Sequence, residues 1–98
     1  MKFGLTQSQF EFIESEVVEP LQKSGAKVYV FGSRARGDYK PFSDLDLMVE
    51  STQRTALIGT LQEKLQESRF PFKVDLVHFS EFAEAYKNGY LKERQVWE

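Results

Sequence analysis

The sequence of 98 residues has no cysteine and a single histidine, His78. Disulfides, thiolate metal sites and multi-histidine zinc sites are excluded, so any metal ion must be held mainly by oxygen. That chemistry points to magnesium, manganese or calcium. A large excess of one charge is also lacking, because 13 basic against 15 acidic side chains leave a net charge of −2. Such a balance argues against broad electrostatic capture of DNA or RNA. No uncharged run is long enough to span a bilayer, and the first residues, MKFGLTQSQF, lack the apolar centre of a signal peptide. A cytoplasmic protein without membrane association is expected. Repeats, low-complexity tracts and linkers are missing too. A hydrophobic content of 41% in so short a chain supports one core and not two, so residues 1–98 are expected to form a single domain.

What is present reads as alternating helices and strands. Thr6 and Gln9 have the spacing of a capping box, and Phe10, Ile13, Val17 and Leu21 follow at helical intervals. The first helix is expected over residues 6 to about 19, stopped or kinked by Pro20, with Gly25 finishing the connection. KVYVF, apolar on both faces, predicts a strand covered on both sides. DLDLMVE alternates, with Leu45, Leu47 and Val49 on one face and Asp44, Asp46, Met48 and Glu50 on the other. Glu50 lies too far along that strand to share an ion with Asp44 and is read as solvated. RTALIGTLQEKLQES places Leu57, Ile58, Leu61 and Leu65 on one stripe of a surface helix, despite Gly59. KVDLVHF is a third strand with Asp75 opposite in direction to Val74, Leu76 and His78, and His78 reads as a packing or edge residue, not a ligand. Ser80 is placed to cap a last helix carrying Phe82, Tyr86 and Tyr90, which Asn88-Gly89 could interrupt. Tyr86, Tyr90 and Trp97 fall in a polar segment, where aromatics often anchor a partner, and the tail QVWE is ambiguous.

The first two strands are separated by about a dozen residues, too few for an ordinary helical crossover, so they should run antiparallel. The expected fold class is α+β, a small mixed sheet flanked by helices.

The chemistry concentrates in FGSRARGDYKPFSDLDLMVE, residues 31 to 50. A P-loop is rejected because Asp38-Tyr39 stands where Lys and then Ser or Thr are needed, and GxGxxG fails at Ala35. What remains is a strand ending in Gly-Ser and turning into a short helical segment. Its free N–H groups and the Ser33 hydroxyl suit a phosphate, Gly32 lets the backbone approach it, and Arg36 adds charge. Arg34 is read as a surface side chain, and Gly37 also suits the end of the helical turn. Asp44 and Asp46, two apart on a strand, share a face, and correct pairing brings Asp75 beside them. Three carboxylates so close repel one another unless a hard cation neutralises them, so burial without metal should raise at least one pKa.

GSRARG, then SDLDL five residues later, then VDLV some thirty residues on resemble the nucleotidyltransferase superfamily of DNA polymerase β. The resemblance rests on Gly32, Ser33, Ala35, Arg36, Gly37, Ser43, Asp44, Asp46, Leu47 and Asp75. The short chain looks like the minimal nucleotidyltransferases of bacteria and archaea that pair with helical HEPN proteins. By resemblance, Asp44, Asp46 and Asp75 are catalytic and bind Mg²⁺, Asp75 helping to activate the acceptor hydroxyl. Gly32, Ser33, Arg36, Gly37 and Ser43 attend the ATP phosphates. The activity so implied is AMP transfer from ATP to a tyrosine of a HEPN toxin, by the antitoxin of a type VII-like module, in a homo- or hetero-oligomer. The alternative is a nucleotide-binding, non-catalytic subunit that neutralises its partner by contact. A transferase for small molecules such as aminoglycosides fits less well, because no second helical domain for the acceptor is visible.

Overall fold

The computed structural model describes residues 2–52 and 55–98. Helices α1 (Gln7–Ile13) and α2 (Glu19–Lys23) precede strand β1 (Lys27–Phe31), and the four-residue helix α3 (Ser33–Arg36) follows it directly. Strand β2 (Leu45–Glu50), helix α4 (Ala56–Glu67), strand β3 (Val74–His78), helix α5 (Glu84–Glu93) and the two-residue strand β4 (Gln95–Val96) complete the chain. The sheet order is β3-β2-β1-β4, with β1 antiparallel to β2 and β4 and β2 parallel to β3. The expected antiparallel first pair and the mixed sheet are both observed.

The capping box forms as the spacing predicts. The Gln9 N–H donates to Thr6 Oγ1 at 3.1 Å and the Thr6 N–H to Gln9 Oε1 at 2.9 Å. Thr6→Ala should lower stability by about 1 kcal/mol, measured as an earlier denaturant midpoint at unchanged slope. Pro20 neither stops nor breaks the helix. Residues Glu14–Val18 open into a π turn in which the Glu19 N–H donates to Glu14 O, and Pro20 falls in the first turn of α2. Its missing donor costs nothing there. Gly25, at φ 97°, ends the connection as expected.

One face of the sheet makes the core. Val28, Val30, Leu45, Leu47, Val49, Val74 and Leu76 pack against Ile13, Val17 and Leu21 of the N-terminal helices and Ile58, Leu61 and Leu65 of α4. The predicted stripe of α4 is therefore its buried one; Arg54, where that helix was expected to begin, lies outside the described residues. His78 is buried on this side, its Nε2 3.0 Å from Ser51 Oγ and its Nδ1 2.7 Å from Ser80 Oγ, a packing role.

The other face carries Tyr29, Phe31, Asp46, Met48, Glu50 and Asp75, and α5 covers part of it. Ser80 does not cap α5. It sits in a 3₁₀ turn where its N–H is taken by His78 Nδ1, and α5 starts later, after Ala83, running unbroken through Asn88-Gly89. Glu50 is not solvated either, because it accepts from the Tyr90 hydroxyl at 2.6 Å and from Arg94, whose guanidinium stacks on Tyr29 at 4.1 Å. Burial, then the bond to Glu50, pushes the Tyr90 phenol well above its ordinary pKa. The tail QVWE becomes the edge strand β4, and Trp97 is buried against Phe10 and Phe3, with ring centroids at 4.4 and 5.7 Å. No helix among the described residues is long and apolar enough to cross a membrane.

Candidate active site

The site starts where β1 ends. Phe31 is the last residue paired to β2, and Gly32 turns the chain at φ 74°, a conformation open mainly to glycine. The Gly32 carbonyl accepts the first bonds of α3, from Ala35 and Arg36 N–H at 3.1 Å each, and Gly37 ends the turn at φ 93°. Gly32 is needed for space as well. A Cβ there would lie 2.5 Å from Asp46 Oδ2, so only glycine lets the turn abut the carboxylate.

Register brings Asp46 and Asp75 side by side. Asp46 stands opposite Phe31 on β1 and beside Asp75 on the parallel strand β3, so all three side chains share one face. Asp44 precedes β2 by one residue and is exposed. Asp46 is half-buried, and burial first, then the charges of Asp75 and Asp44, push its carboxyl above the ordinary range; Lys73 and Arg36 partly offset this. Lys73 Nζ lies 3.4 Å from Asp75 Oδ1. Among the described residues no three His, Cys, Asp or Glu side chains are already gathered as a metal cage. The oxygen-only donors and the disfavoured charge on Asp46 nevertheless fit a hard divalent cation, which such carboxylates would close around.

The remaining predicted residues surround this centre unequally. Ser33 opens α3 directly after Gly32. Arg36 is exposed beside it, 3.4 Å from Asp38 and 3.5 Å from Glu93, and the Asp38 charge foremost raises its pKa. Ser43 lies in the loop before Asp44, its Oγ accepting from the Lys40 N–H at 2.8 Å, which leaves its own proton free to be donated.

Arg34 is the residue that sequence reasoning misplaced. It is 2% exposed and donates to the carbonyls of Phe3 at 2.9 Å, Ser43 at 3.0 Å and Pro41 at 3.2 Å, while stacking on Phe72 at 4.1 Å and Tyr39 at 5.2 Å. Burial lowers its pKa, against the charges of Tyr39 and Asp44. It ties the loop before Asp44 to the N-terminal turn. Its partners are backbone carbonyls and distant rings, which leave no periodic signal.

A mixed sheet with a glycine turn held against a carboxylate strand is the polymerase β-like nucleotidyltransferase fold. The chain belongs to the family described as Nucleotidyltransferase domain, which matches residues 13–97. It is 36% identical over 62 residues to a Haemophilus influenzae protein named "Probable protein adenylyltransferase MntA", covering 61% of this chain and 54% of that one. The chain thus spans about half the length of this curated relative. A solved structure described as "Crystal structure of the toxin-antitoxin with AMP-PNP" matches with a TM-score of 0.66 over 87% of this chain and 72% of that chain. At 21% identity that likeness speaks for the fold alone.

Proposed function

We propose that this chain is a Mg²⁺-dependent adenylyltransferase that moves AMP from ATP to a tyrosine hydroxyl of a HEPN-type helical toxin and so silences it, as a cytoplasmic antitoxin. The observation that carries the reading is the close approach of Gly32 to Asp46, which sets the Gly-Ser turn directly beside the carboxylate of β2. The name of the Haemophilus influenzae relative supports the adenylyl group, and the neighbour described as a toxin-antitoxin with AMP-PNP supports the nucleotide and the setting. Its helical family and the tyrosine acceptor rest on the sequence resemblance.

In this scheme Gly32, Ser33 and Gly37 give the triphosphate a backbone-lined seat, Arg36 adds charge, and Ser43 donates from the loop. Asp44, Asp46 and Asp75 would hold Mg²⁺, which when bound supplies neutralisation of phosphate charge. The acceptor oxygen attacks the α-phosphorus, pyrophosphate leaves, and Asp75, on the outer strand beside Asp46, is placed to take the acceptor's proton.

Incubating the chain with the helical partner, Mg²⁺ and α-labelled ATP should give a partner carrying the label on a tyrosine peptide. A partner that stays unlabelled in the presence of intact chain would overturn the transferase reading.

A further inference from the structure

Beside Asp46 the sheet opens into a cleft of about 360 Å³, lined by Phe31, Gly32, Arg36, Tyr86, Tyr90 and Glu93. Its floor is aromatic. The Phe31 ring meets Tyr90 and Phe82 edge-on at 5.5 Å, and α5 is held over it by the bonds of Tyr90 and Arg94 to Glu50. Tyr86 forms the outer wall and is 66% exposed, although its neighbour Phe82 lies only 6.0 Å away between ring centroids. Tyr86 thus keeps one ring contact within the wall while most of its own ring stays open to solvent.

We infer that this cleft seats the base of the nucleotide, with Tyr86 as a stacking residue that sets affinity for nucleoside over bare polyphosphate. The inference rests on the reading that the turn at Gly32 holds the triphosphate. Gly32 and Arg36 belong to both the turn and the cleft, so a ring in the cleft is tethered to phosphates at the turn. The strand order separates the two reactants. Asp75 flanks Asp46 on β3 and Phe31 flanks it on β1, so an acceptor using Asp75 approaches from the side opposite the ring. Aromatic faces stack any base, whereas the Arg36 and Glu93 side chains at the rim supply donors and acceptors for the polar edge of the base.

Calorimetric titration with Mg²⁺ present, comparing ATP with inorganic tripolyphosphate, tests this. Tyr86→Ala should bind ATP about tenfold more weakly and tripolyphosphate as the wild type does, while Tyr86→Phe keeps the affinity for ATP. Because Tyr86 is exposed, an unchanged thermal melt is the control for folding. Equal ATP affinity in Tyr86→Ala overturns the inference, and so does an equal loss for both ligands, which would report damage at the phosphate seat. Unchanged ATP affinity with a raised KM for the acceptor would assign the cleft to the acceptor instead. Failure of the underlying reading has a separate signature, a wild type that binds neither ligand, and it overturns both.

Discussion

Asp46→Asn should abolish AMP transfer while making the nucleotide-free protein slightly more stable. The carboxylate is half-buried, faces Asp75 across the β2–β3 pairing, feels Asp44 two residues away, and has its charged form disfavoured by all three circumstances. Asparagine keeps the shape and the contact with Gly32 but removes the charge. The repulsion ends, and because solvent screens the site the gain is small, about 1 kcal/mol or a rise of roughly 4–8 °C in Tm. The same change takes away a ligand for the cation that neutralises phosphate charge. Losing several kcal/mol of that stabilisation corresponds to a fall in rate on the order of a thousandfold. Label transfer and melting in the presence of a chelator measure the two halves. A variant retaining more than about one-tenth of the wild-type rate would refute the metal role. Full protection of cells by the inactive variant would instead favour neutralisation by contact alone.

Arg34→Ala should be the most destabilising single change near the site. It strands the carbonyls of Phe3, Pro41 and Ser43 and leaves a gap between Phe72 and Tyr39. These bonds are part-buried, and acceptors left without donors cost at most about 1–3 kcal/mol each, not additively, to which the loss of a buried side chain packed on two rings is added. A loss of about 3–5 kcal/mol is expected, a large part of the roughly 5–15 kcal/mol that holds a domain of ordinary stability. Tm should fall by at least about 12 °C. Arg34→Lys should recover less than half of this, because one ammonium cannot reproduce a planar fork that reaches three carbonyls and stacks on rings. Circular dichroism melts of both variants are the check. A lysine variant as stable as wild type would show that charge, and not the fork, holds the loop.

The strands and the shared face of Asp46 and Asp75 were legible because both depend on alternation. A period of two fixes the face of Asp46 within β2 and of Asp75 within β3, whereas Asp44 falls one residue before the strand, and the short β1–β2 connection dictated antiparallel pairing. The Gly-Ser turn was legible because glycine takes the positive φ that a sharp turn from a strand into a helix requires. Pro20 misled because a π turn upstream shifted it to a first-turn position, a remedy that local propensity does not encode. Ser80 misled because Phe79–Glu81 form a separate 3₁₀ turn capped by the His78 side chain, which delays α5 until after Ala83.

By itself, then, the sequence determined which residues alternate and where the chain must turn, since these follow from local geometry and composition. Only the tertiary structure decided that Arg34 is a buried brace, that Glu50 anchors α5, that the tail pairs as β4 and buries Trp97, and that Tyr86 stands open in the cleft that Gly32 also lines. Each of these depends on groups far apart in the chain meeting through sheet order and helix docking, and no spacing along the chain records such a meeting.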